Sequence, residues 1–458
     1  MRKLWFLSLP LLTLLLNACG ASEKSEVMAY APKTAVPEQA LMSDGEVWNQ
    51  ELRVLQKETP RTLNMESFYK DFGYSEWPGK IYAHKKLASD KNQDDSPAHK
   101  FLIRLGQQIY QQALLGDKSG DPVYSDNALL LIRRLLDSKL GFINNPDNPS
   151  LTNDNRFLEI AWFLNLAVRG ARILDVTTSD EWKSKYNWAA VKAGLNAWMG
   201  DSVDQNWTLK DALNQSPLNL AAHAGLLNWV GDSDTTYGST NRSFAALEAL
   251  LRVAEFRGGR LGPMKLLGNA WDAKREHDGS VWHIMQSFKG YLKYYFHAPI
   301  NRDNTQFKLN YKKSAGSLIN SNPDILNMET CLDPSNYGFR ANCLVNKDAY
   351  RNDTFHPLMG FASLLNIIDL VKRWGYDLSP EEHERVIMGL RWVSLNNTPG
   401  VTAAKSSNGI AVWEVAFRLY PADKLGPYCQ RDLAANRASD NNKRADLAWG
   451  YSRVALGY

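Results

Sequence analysis

Apolar residues recur at intervals of three and four from about residue 50 almost to the end of the chain, the spacing of helices with one buried face. The spacing predicts helices near 97–115, 125–138, 155–175, 187–199, 217–230, 241–257, 280–297, 357–374, 380–394 and 408–419. Short loops rich in Gly, Pro, Asn and Asp separate them, and runs of alternating β-branched residues are scarce. An all-α fold follows. Helices of similar length in pairs, without a fixed repeat, predict one large domain over 49–458, built as a toroid or incomplete barrel of helical hairpins or as a solenoid. Polar loops such as NNPDNPSLTND at 144–154 would line the rim of a toroid's central cleft.

The first 48 residues break this pattern. Arg2 and Lys3 precede an apolar run from Leu4 to Leu16 that is too short to span a bilayer comfortably, so residues 1–18 are expected to be a secretory signal. Leu16-Asn17-Ala18-Cys19 resembles the lipobox of bacterial lipoproteins, which implies cleavage before Cys19 and lipidation of its thiol. Residues 19–48 are polar, with Pro32 and Pro37, and read as a flexible tether. The expected location is the bacterial cell envelope, with the membrane as a partner through lipid and not through a spanning helix.

Composition narrows the partners. The 15 Trp, 19 Tyr and 16 Phe exceed what a core needs, and a surplus of flat rings suits sugar stacking. A net charge of +4 fits an anionic partner, while the absence of polybasic runs and zinc-finger spacing argues against nucleic acid. Cys331 and Cys343 bracket a Pro- and Gly-containing loop and are expected to pair in an exported protein; Cys429 reads as a buried thiol, with pairing to either of the others left open.

Four stretches carry candidate chemistry. HDGSVWHIMQSFKGYLKYYFH, from His277, places His283, Gly290, Tyr294 and His297 on one helical face, the Gly leaving room for a ligand in a long groove. SPLNLAAHAGLLNW, from Ser216, sets Asn219 four residues before His223 among alanines; the pair either holds a carboxylate or is satisfied by backbone. In NDTFHPLMGF, Pro357 suits the first helical position, making His356 either a simple cap or a neutral imidazole facing an anion. NRFLEIAWF opens a helix with Asn155 and Arg156 and carries Trp162, whereas Trp413 and Glu414 lie in an apolar helix where a core Trp is expected. No HExxH, GxSxG, phosphate loop or dinucleotide fingerprint occurs, so neither a metal nor an organic cofactor is expected.

Taken together and in this order, NRFLEIAWFLNLAVRGARIL, HDGSVWHIMQSFKGYLKYYFH, NDTFHPLMGFASLLNIIDLVKRWGYDL and VWEVAFRLYP resemble segments of the alginate lyase superfamily of polysaccharide lyases, over most of residues 150–420. The resemblance implies an (α/α) toroid and β-elimination on a uronic-acid polysaccharide. It implies Tyr294 as acid, with the base either Tyr294 itself or His223, His223 otherwise a carboxylate neutraliser, and Asn219 as neutraliser, with His283, His356, Asn155, Arg156 and Trp162 as candidates to line the groove. Two departures stand out. The family's adjacent Asn-Asn-His is here Asn219-Leu220-Ala221-Ala222-His223, and its Arg seven residues before the Tyr is here Ser287, leaving Lys289, Arg275 or Lys293 to neutralise the carboxylate. The alternatives are a lipid-anchored scaffold without activity and a glycoside hydrolase using Glu159, Asp278 or Glu414, since hydrolysis needs two placed carboxylates. A monomer is expected.

Overall fold

A computed structural model describes residues 43–81, 97–138, 140–142, 156–199, 241–258, 332–333, 338–339, 355–396 and 408–438. These residues are overwhelmingly helical, as the periodicity predicts. The elements are α1 (Asp44–Glu58), α2 (Met65–Lys70), β1 (Lys80–Ile81), α3 (Pro97–Ser119), α4 (Pro122–Asp137), β2 (Gly141–Phe142), α5 (Arg156–Thr177), α6 (Asp180–Lys185), α7 (Trp188–Trp198), α8 (Asn241–Phe256), β3 (Leu332–Asp333), β4 (Gly338–Phe339), α9 (Phe355–Arg373), α10 (Pro380–Asn396), α11 (Asn408–Leu419) and α12 (Ala422–Ala438). The two-residue strands only tie loops: β1 pairs parallel with β2, and β3 antiparallel with β4.

Local chemistry sets the helix ends. Ser43 and Glu46 form a capping box at α1, so this helix begins inside the stretch expected to be tether, five residues before 49. Asp121 caps α4 through the Val123 amide with Pro122 at the first position, and Ser179 caps α6. Within α12, Gly426 at φ 80° followed by Pro427 breaks the helical path.

Most of the long helices pack in a row, with others behind it. Helices α3, α5, α8, α9 and α11 form a row in which each packs against the next, while α4 backs α3, and α12 packs on both α10 and α11. Contacts along the row show that its first four members run parallel. Gly106 of α3 lies against Phe163 and Leu166 of α5, and Ile109 against Gly170. Asn165 of α5 donates to the Ala245 carbonyl of α8 at 3.4 Å, and on α9 Asn366 and Arg373 meet Glu248 and Glu255 of α8, seven residues on in both helices. The core runs through this row, from Phe101 and Tyr110 to Phe163, Phe244, Phe361 and Trp413.

Helix α1 touches both ends of the described chain. Its C-terminal end is held by glutamines of α3: Gln111 Nε2 donates to Glu58 Oε2 at 3.1 Å, and Gln112 Nε2 to the Pro60 carbonyl at 2.9 Å. Its N-terminal Asp44 accepts from Arg437 of α12 at 3.2 Å.

Candidate functional site

Of the residues expected to do chemistry, Tyr294, His223, Asn219, His283 and Asn155 lie outside the described residues, as do Cys19, Cys331 and Cys343. Three can be located. Arg156 is the first residue of α5 and His356 the second of α9. Since α5, α8 and α9 are parallel, both candidates open their helices at the same end of the row. Helix α9 starts two residues earlier than Pro357 predicts, which puts His356 inside the first turn instead of at the cap; Pro357 is tolerated there because the first four amides have no intrahelical partner. Trp162 is a different case. It is 8% exposed and belongs to the core cluster, so it packs where a stacking platform would need an open ring face.

Among the described residues, the densest chemistry is a polar seam along the row of parallel helices. One face of α8 carries Glu248, Arg252 and Glu255, at steps of four and three, and one face of α9 carries Asn366, Asp369 and Arg373. Arg252 Nη1 donates to Glu255 Oε2 at 3.1 Å, and Arg373 Nη1 reaches Glu255 Oε1 at 3.3 Å. Asp369 accepts from Arg418 of α11 at 3.0 Å. On the other side, the Arg169 guanidinium of α5 stands over the Tyr110 ring of α3, 5.2 Å from its centre. The seam therefore draws on all five helices of the row.

Its electrostatics reach beyond neighbours. Tyr110 on α3 feels Arg252 on α8, and Arg373 on α9 feels Arg169 on α5, although neither pair of helices is adjacent in the row. Burial pushes the Tyr110 phenol up and the Arg169 guanidinium down. Burial also pushes the Glu255 carboxyl up, but Arg252 and Arg373 outweigh it and hold the group below the ordinary range. What such a seam does chemically is fix register: each charge has few seats in a low-dielectric interior, so sliding one helix past another strands it.

Sequence reasoning passed over this seam, and also over the buried glutamines of α3. The glutamines had a signal: a doubled Gln-Gln on either side of Tyr110 puts polar groups at the core-facing interval.

Glu414, nominated as a hydrolytic acid, is 1% exposed and gripped by Arg437, whose Nη2 donates to Oε2 at 2.9 Å and whose Nε donates to Oε1 at 2.6 Å. Held this way between α11 and α12, it is a structural ion pair and not an acid facing a sugar. Trp413 beside it is buried, as expected of a core Trp. Cys429 is a buried free thiol whose pKa burial raises. His383, on α10, shares its ring nitrogens between Asp377 Oδ1 at 2.8 Å and the Tyr420 hydroxyl at 3.1 Å.

Among the described residues no cluster of His, Cys, Asp and Glu has metal-binding geometry, and no helix is long and apolar enough to cross a membrane. The apolar void between Ile109, Ala167, Leu195 and Trp198 holds nothing larger than a water. No family profile matches the chain, and neither a curated protein nor a solved structure is similar to it.

Proposed function

We propose that this chain is a lipid-anchored polysaccharide lyase of the bacterial cell envelope, built as an (α/α) toroid and cleaving an alginate-like, uronic-acid-containing polymer by β-elimination. The observation that carries the proposal is the packing order: a row of helices whose first four members run parallel, backed by α4 and α12, with α1 touching α3 at its C-terminal end and α12 at its N-terminal end. A closed ring of hairpins accounts for all three, and it is consistent with charges on non-adjacent helices feeling one another. Parallel inner helices also gather their N-terminal dipoles at one rim, where Arg156 and His356 open α5 and α9, a disposition that favours an anionic substrate.

The chemistry follows from the substrate class. The C5 proton of a uronate becomes removable only when its carboxylate is neutralised, the work given to Asn219 and His223. Tyr294 then delivers a proton to the departing O4, and a base takes the one from C5. The pairing of Glu414 with Arg437 weighs against the hydrolase alternative.

Incubating the purified protein with a panel of acidic polysaccharides while following near-ultraviolet absorbance tests the proposal. Elimination creates a C4–C5 double bond that absorbs; new reducing ends without that absorbance would mean hydrolysis, and binding without either would mean a scaffold. Either result would overturn the lyase.

A further inference from the structure

Among the described acids of the buried seam, Glu248 is the one whose nearest cation stands beyond hydrogen-bond distance. It is 0% exposed, and its Oε1 accepts from the neutral amide of Asn366 at 3.0 Å. Its Oε2 is buried and, among the described residues, has no hydrogen-bond partner. The nearest guanidinium, Arg252, stands 3.8 Å from Oε1 and spends its better-aligned bond on Glu255 at 3.1 Å. An ionised carboxylate shut away from solvent and without a direct cationic bond loses more solvation than one amide returns.

From this geometry we infer that Glu248 carries a proton at neutral pH, and that its ionisation moves Arg252 from Glu255 to Glu248, making the seam a proton-operated two-position brace. The spacing permits the exchange. Arg252 lies four residues after Glu248 and three before Glu255, so one guanidinium can serve either acid from the same helix face. Glu255 does not need Arg252, because Arg373 of α9 holds it as well.

Among the described residues, the groups facing Glu248 come from its own helix, from α5 and from α9. Helix α5 presents Arg169, whose guanidinium stacks on Tyr110 of α3. From α9 come Ser363 and Asn366, with Asp369 and Arg373 one and two turns further and Asp369 taken by Arg418 of α11. Burial raises the Glu248 carboxyl beyond the opposing pull of Arg252, Arg169, Ser363 and Asn366, in keeping with the geometry.

The sign of the linkage is opposite to that of the paired acids. A carboxyl whose folded pKa is raised binds more proton folded than unfolded between the unfolded value, about 4.3, and the folded one, so it withdraws stability as pH rises through that window. Relative to Glu248→Gln, the wild type should lose up to about tenfold in its folding equilibrium constant per pH unit in that window. Infrared difference spectra give an independent reading. A protonated carboxylic C=O band should be present in the wild type at pH 7, vanish at higher pH, and be missing from Glu248→Gln; should that variant fail to fold, Glu248→Asp should shift the band. No protonated carboxyl at pH 7, or wild-type and Gln curves that run parallel from pH 5 to 8, would overturn the inference.

Discussion

Gly170 sits mid-helix in α5 where that helix crosses α3, and replacing it with Ala separates two effects of opposite sign. An added methyl would lie 2.8 Å from both the carbonyl oxygen and Cγ2 of Ile109, and 2.9 Å from its carbonyl carbon. Two of the three are backbone, which cannot rotate aside, so the helices must part by several tenths of an ångström. Alanine gains about 1 kcal/mol of helix propensity over glycine. Overpacking a close interface costs about 1–3 kcal/mol. Because the obstacle is backbone, the upper half of that range applies, and the net is a loss of about 1–2 kcal/mol. Gly194 of α7 is the control: its methyl would meet only the tip of Leu136, at 3.2 Å, a side chain that can turn away, so Gly194→Ala should be neutral or gain up to about 1 kcal/mol. Urea unfolding followed by far-ultraviolet circular dichroism measures both. Gly106, whose methyl would lie 3.1 Å from the Phe163 carbonyl, shares the crossing, so Gly106→Ala should cost less once Gly170→Ala has parted the helices. If Gly170→Ala matched or exceeded the parent in stability with an unchanged m-value, the close α3–α5 approach would be refuted.

Other consequences are as open to test. Arg437→Met leaves Glu414 buried without its bidentate partner and should cost about 3–5 kcal/mol in denaturant unfolding. Burial pushes the Asp175 carboxyl up, but Lys192, Trp188 and Arg172 together hold it below its ordinary value; its contribution is therefore present above the unfolded pKa of about 3.9 and lost as pH falls through the lower folded one, so wild type and Asp175→Asn should converge in stability at acid pH. On the proposed mechanism, Tyr294→Phe should lower turnover by about two orders of magnitude with polymer binding retained, and His223→Ala should be crippled too, whereas His383→Ala, which loses only its ties to Asp377 and Tyr420, should turn over normally.

Periodicity made the inner helices legible. The predicted 155–175, 241–257 and 408–419 lie within two residues of α5, α8 and α11, because one apolar face of each meets the core. Helix α1 hid behind polar composition, although Ser43 and Glu46 carry a capping signature, and α12 was obscured by the Gly426-Pro427 interruption. The seam was illegible for another reason. A charge in a helix ordinarily marks the solvent side, and nothing in the spacing of Glu248, Arg252 and Glu255 distinguishes an outer face from an inward one until α9 supplies Asn366 and Arg373 opposite. Of the proposed site, only the openings of α5 and α9 are in view; the residues expected to transfer protons lie outside the described part of the chain.

The ion pair between Asp44 and Arg437 joins positions 393 residues apart. During synthesis α1 can dock on α3 early, but the contact of Asp44 with Arg437 must wait until nearly the whole chain has followed. That contact is thus a late event in folding that closes a long loop. A nascent chain halted before α12 would lack the Arg437 guanidinium that both Asp44 and the buried Glu414 meet in the folded protein.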